Sequence, residues 1–160
     1  WHNEYYSKAL RSFGELSLYE ENGERNETYR FLWLRTFHHP ILIKLEMSKN
    51  GEATLTTKAS SGKSAYRFGT VVINETRSLN HATARELRDS LFGPIFWESK
   101  ITRWNPDEEG MDGAEWVIEA FRDGKYHVLT DWSPEDGIVY EVGTKLIRES
   151  RINPPEDEIY

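Results

Sequence analysis

Asp123-Gly124, set between two runs of mixed apolar and polar residues, constrains this chain more than any other feature. A two-residue type I′ turn needs φ > 0 at both central residues, and Asp-Gly supplies that at little cost. With this pair as the loop, Arg122 faces Lys125 and the ladder runs outward as a β-hairpin. Ala120 then faces His127, Ile118 faces Leu129 and Trp116 faces Asp131, all on one side, because side chains alternate along a strand. The other side pairs Val117 with Thr130, Glu119 with Val128 and Phe121 with Tyr126. This register separates His127 from Glu119, so the two cannot form a dyad, whereas a slip of one residue would unite them.

The same reasoning extends upstream. Residues 29–37 are apolar on both faces and predict a central buried strand, which His38-His39-Pro40 interrupts. Residues 41–48 alternate and predict a strand with one core-facing side, and Asn50-Gly51 turns the chain back through 52–58. A strand is expected over 66–76, with Gly69 at a bulge or bend. Residues 79–92 switch to helical spacing, with Asn80 as N-cap and Ala84, Leu87 and Leu91 on one face. A second helix is expected to start at Ser133-Pro134-Glu135-Asp136, with Val139, Val142, Gly143, Leu146 and Ile147 as its buried stripe. Pro154-Pro155 marks an extended tail.

Short hairpin links favour antiparallel pairing. The expected fold is therefore α+β: a mainly antiparallel sheet of about six strands with two helices packed on one face. Residues 1–28 are expected to form an N-terminal arm or helix anchored by Leu10, Phe13 and Leu16, followed by a polar loop, with a single α+β domain over 29–160.

Composition narrows the function. Twenty basic against twenty-seven acidic residues give a net charge of −7, which argues against a nucleic-acid partner. No stretch approaches the ~18 apolar residues of a membrane span. The chain contains no cysteine, which excludes thiol nucleophiles and zinc–thiolate sites. It opens at Trp1 without an initiator methionine, as a processed or trimmed chain would, and a removed signal peptide fits that start.

The segments Tyr29-Arg30-Phe31-Leu32-Trp33-Leu34-Arg35-Thr36-Phe37-His38-His39-Pro40, Asp112-Gly113-Ala114-Glu115-Trp116-Val117-Ile118-Glu119, Lys125-Tyr126-His127 and Trp132-Ser133-Pro134 resemble a group of uncharacterised bacterial proteins, some of them exported. The resemblance covers residues 29–150 and leaves out the N-terminal arm. It implies bacterial origin and a periplasmic or secreted location, and carries no activity with it.

Candidate chemistry is sparse. His127 and Asp131 share a strand face, four residues and about 13 Å apart, and are the one pairing available for acid–base work. No Gly-x-Ser-x-Gly elbow is present. His38 and His39 are neighbours that should point to opposite faces, which is poor geometry for one metal ion. The acidic stretch around Asp107 and Glu109 has oxygen ligands suited to calcium but lacks EF-hand spacing. Arg30 and Arg35 also point to opposite faces, and one of them is expected to pair with a buried acid such as Glu119. Tryptophans outnumber what one core needs, so Trp104, Trp116 and Trp132, with Asp112 and Glu115, are the expected binding residues. The sequence reading is thus a non-enzymatic module that binds another protein, a basic one given the acidic charge, as inhibitors, immunity proteins and envelope accessory factors do. No cofactor is expected. The alternative is a small hydrolase or metal-dependent enzyme using His127, Asp131 and acids of the 107–115 loop.

Overall fold

The central strand β1 (Glu27–Arg35) is buried along nearly its whole length, as an apolar run on both faces requires. A computed structural model describes residues 2–19, 27–62, 67–100 and 112–160. β1 is flanked by β2 (Ile41–Met47) and β5 (Ala114–Arg122), and the sheet is completed by β3 (Ala53–Ser60), β4 (Val71–Leu79) and β6 (Lys125–Trp132). The six strands run in the order β4-β3-β2-β1-β5-β6, and every pairing is antiparallel. The fold is α+β, as the sequence indicates.

Both hairpin turns follow from their residues. Asp123 and Gly124 have φ of 51° and 74°, and the β5–β6 register matches all seven expected pairs from Arg122–Lys125 to Trp116–Asp131. Between β2 and β3, Gly51 sits at φ 90° and its N–H donates to the Ser48 carbonyl, which closes a three-residue loop between Ser48 and Glu52. β4 begins at Val71, later than expected. Gly69, at φ 66°, belongs to the preceding loop, and the irregularity in the ladder falls at Ala59 and Ser60.

Among the described residues, one sheet face carries three helices. They are α2 (His81–Leu91), α3 (Pro94–Glu98) and α4 (Gly137–Ser150). Asn80 caps α2, its side chain accepting from Thr83 N. Tyr29, Phe31, Trp33, Ile43, Trp116 and Ile118 from the strands meet Leu87, Phe92, Phe96, Val142 and Leu146 in one core. α4 starts three residues after Pro134, with Asp136 as N-cap. Ser133, at φ 42°, is instead part of the turn out of β6.

The opposite face is covered in part by α1 (His2–Ser12), which exceeds the two-helix, one-face expectation. Ala9, Leu10 and Phe13 pack on Leu32, Leu34, Leu42 and Val117. Burying Leu10 and Phe13 contributes about 1.5–3 kcal/mol each. Leu16 is exposed, because the helix ends at Ser12 and Gly14 turns the chain at φ 69°. No helix among the described residues is long and apolar enough to cross a membrane.

Candidate functional site

The hairpin β5–β6 presents different chemistry on its two sides. On the α4 side, His127 is wedged between Phe96 and Trp97, with ring centroids 5.1 and 5.8 Å away. Its Nε2 is buried and has no hydrogen-bond partner among the described residues. Asp131, four residues along, accepts from the N–H of Trp132 at 3.0 Å. Trp116, on the same side, is fully buried against Phe31, Trp33 and Tyr140, and so belongs to the core rather than to a binding rim. Its indole N–H and that of Trp33 both donate to the backbone carbonyl of Tyr160, at 2.8 and 3.1 Å.

On the α1 side, charges are buried together. Arg30 is fully buried and directly opposite Glu119 in the β1–β5 ladder. Its Nε and Nη2 lie 2.8 and 2.6 Å from Glu119 Oε2, while Glu119 Oε1 accepts from the Tyr126 hydroxyl at 2.9 Å. Glu15, from the segment after α1, lies 3.8 Å from Arg30 and accepts from Lys44 at 2.9 Å and Lys58 at 2.5 Å. Burial pushes the Glu15 carboxyl up, but the two lysines outweigh it and hold it below the usual range. Lys58 also donates to the Phe13 carbonyl, and Arg30 to the Leu16 carbonyl. This network fastens the segment after α1 to the sheet. Of the two arginines, Arg30 is thus the partner of Glu119, whereas Arg35 stacks over Trp33 and pairs with Glu158 at 3.2 Å.

Glu115 is half-buried and accepts a hydrogen bond from the Tyr6 hydroxyl at 2.9 Å. Burial pushes its carboxyl up to about 7, with a further upward push from Asp131, and the Tyr6 hydrogen bond offsets only part of this. Burial likewise raises the Tyr6 hydroxyl, and the Glu115 charge adds to it.

Beyond this network the α1 side of β6 opens to solvent. Tyr126, Val128, Thr130 and Trp132 alternate along it, and Val128 is 39% exposed. Tyr19, 72% exposed, sets its ring edge-on to Tyr126 at 5.6 Å, and Leu16 is 63% exposed. At the far end the Trp132 ring lies so close over Gly113 that a Cβ there would meet it at 2.6 Å, so only glycine fits beneath the indole. Asp112 is exposed next to it.

The histidine pair splits apart. His38 Nδ1 shares a 2.8 Å hydrogen bond with the Tyr160 hydroxyl, whereas His39 Nδ1 donates to the Gly62 carbonyl at 2.9 Å. Trp104, Asp107 and Glu109 lie outside the described residues. No three His, Asp or Glu side chains among the described residues are grouped to hold a metal ion. A groove of about 540 Å³ runs between α2 and α4, lined by Thr83, Leu87, Tyr140, Thr144, Lys145 and Arg148 among others, and none of the sequence candidates lines it.

No family model matches the chain, and no curated protein matches it. The functional reading therefore rests on the residues themselves.

The sequence missed the Tyr19–Tyr126 contact and the Tyr6–Glu115 bond. Both depend on how α1 and its following segment lie across the sheet, for which the local pattern offers no signal beyond Leu10 and Phe13.

Proposed function

We propose that this chain is a non-enzymatic protein-binding module whose recognition surface is the α1 side of β6. The observation that carries the reading is the solvent-facing stripe of Tyr19, Leu16, Tyr126 and Val128, continued to the half-buried Trp132. Aromatic rings held by packing at a partly exposed surface present large contact area at little cost in side-chain entropy. The Arg30–Glu119–Tyr126 contacts fix the Tyr126 ring from below, so the surface is preformed. Asp112 and Asp123, both exposed, flank the stripe, and with the net charge of −7 they suit a basic partner.

The rival acid–base reading gains no support from the geometry. General acid–base work needs an imidazole within reach of a substrate proton, and the His127 Nε2 is buried between two aromatic rings. The setting, a bacterial envelope or secreted system of the inhibitor, immunity or accessory type, rests on the resemblance of residues 29–150.

The test is affinity capture from an envelope fraction, followed by calorimetric titration of the captured protein against the purified chain and its Val128→Asp and Tyr19→Ser variants. Both positions are exposed, so folding should be kept, which circular dichroism checks. The expected result is a loss of affinity of at least about tenfold in each variant. Unchanged affinity in both would remove this surface from the reading.

A further inference from the structure

The edge strand β4 is unusual in its exposure. Val72, Ile73, Asn74, Glu75 and Thr76 are consecutive exposed residues, with Val72 61% and Ile73 38% accessible. Among the described residues β4 pairs only with β3, so its outer edge carries a row of unpaired backbone N–H and C=O groups. Of the devices that normally blunt such an edge, proline and lysine are missing, and the charges present are Glu75 and Arg77, which oppose each other in one register. Val71–Leu79 contains no proline and no lysine, and the ladder irregularity falls at its very start. A nine-residue strand of this kind is a template for pairing with another strand.

The side chains say which strand fits. Suppose a second copy of β4 lies antiparallel across a two-fold axis normal to the sheet. Such an axis keeps faces matched, so each residue opposes one of equal parity. Centring the axis on Glu75 or on Arg77 sets like charges against each other. Centring it on Asn74 puts Ile73 against Glu75. Centring it on Thr76 puts Glu75 against Arg77 twice, Ile73 against Leu79 twice, Asn74 against Ser78 twice, and Thr76 against itself. Opposite residues in an antiparallel pair have Cβ atoms about 4.5–5.5 Å apart, within reach of a carboxylate–guanidinium contact. Arg77 also lies 3.5 Å from the Glu149 carboxylate of its own chain, so a Glu75 from the second copy would join an existing ion pair. The Arg77 Nη2 donates to the Glu149 carbonyl at 2.7 Å, while its Nε is buried with no hydrogen-bond partner among the described residues.

The geometry points to self-association through β4, in a register centred on Thr76, that joins two sheets into one continuous antiparallel sheet. The occupant of the edge is a second copy of this chain, because its charges and its exposed isoleucine are complementary to themselves in one register only. The surface is separate from the β6 stripe, which lies at the opposite edge of the sheet.

Sedimentation equilibrium of the intact chain, its Glu75→Arg variant, and the Glu75→Arg/Arg77→Glu double variant tests this. Glu75→Arg sets arginine against arginine and is expected to weaken dimerisation at least about tenfold, while the double exchange restores it. Circular dichroism reports whether each variant folds, and Glu75 is exposed, so Glu75→Arg stands even if the double variant does not fold. The chain has no cysteine, so single cysteines read the register cleanly. Thr76→Cys is expected to cross-link to its copy under mild oxidation, and Asn74→Cys, about 13 Å from its copy in this register, is not. A chain that stays monomeric into the millimolar range overturns the proposal. So does a dimer indifferent to Glu75→Arg, or cross-linking at 74 in place of 76. Capture of a foreign strand at β4, with no self-association, also overturns it.

Discussion

Arg30 and Glu119 stand directly opposite each other in neighbouring strands, and the guanidinium of one closes on the carboxylate of the other with no water-exposed side left to the arginine. Removing Glu119 leaves the buried guanidinium with only the more distant Glu15 carboxylate, 3.8 Å away and shared with two lysines, and breaking a buried pair costs about 3–5 kcal/mol, whereas replacing both members with apolar residues costs much less. Glu15 keeps Lys44 and Lys58 as partners in either case, so the rest of the cluster stays paired. Glu119→Leu should therefore destabilise by several kcal/mol in urea denaturation, and Arg30→Met/Glu119→Leu should be more stable than Glu119→Leu alone. Additive losses in the double variant would show that the pair is not the unit.

Glu115 makes stability depend on pH in a direction opposite to that of an ordinary paired carboxylate. Its folded-state value of about 7 stands above the ordinary 4.5, so the folded chain holds the proton more tightly than the unfolded one. The resulting stabilisation is complete below pH 4.5 and is lost as pH rises through 7. Its upper bound is about 3 kcal/mol. Glu115→Gln keeps an acceptor for the Tyr6 hydroxyl and cannot ionise. Relative to the wild type it should gain stability between pH 5 and pH 8, as urea midpoints at the two values would show; parallel pH profiles would refute the assignment.

The hairpin was legible because its information is local. Asp-Gly selects the turn, the turn selects the register, and the register alone separates His127 from Glu119. Residue parity also showed that Arg30 and Arg35 must serve different faces, although which of them meets Glu119 depends on the non-local pairing of β1 with β5. A surplus of tryptophans suggests a surface, which makes Trp116 an expected binding residue. Its place is decided instead by α4, whose Gly143 leaves room for the ring, and by the Tyr160 carbonyl forty-four residues downstream. The α1 layer was illegible for the same reason, since Leu10 and Phe13 mark a helix with one apolar side but not the sheet face that receives it.

Gly143 sits in the middle of α4, where alanine would ordinarily be favoured by about 1 kcal/mol. Here a Cβ would meet the Trp116 ring at 2.3 and 2.4 Å, and Phe31 at 3.2 Å. The ring cannot retreat without giving up its hydrogen bond to Tyr160 and its contacts with Trp33. Overpacking of a closed core costs about 1–3 kcal/mol or more, so the steric effect outweighs the helical gain. Gly143→Ala should lower the thermal midpoint and red-shift the tryptophan emission; a raised midpoint would mean that the core yields at this point.

Replacing His127 separates a packing role from a chemical one. A buried ring nitrogen without a partner carries a desolvation cost that an apolar ring of similar shape avoids. Phenylalanine keeps the edge-to-face contact with Phe96 and the tilted contact with Trp97, and removes a nitrogen that has no partner among the described residues. His127→Phe should therefore be neutral or stabilising by up to about 1 kcal/mol in urea denaturation, and should leave binding through the β6 stripe unchanged, since its side chain lies on the other side of the sheet. A large loss of stability would reveal a polar partner for the imidazole. Loss of binding with stability intact would place the imidazole in the recognition event itself, and with it the acid–base reading of His127 and Asp131 would regain its footing.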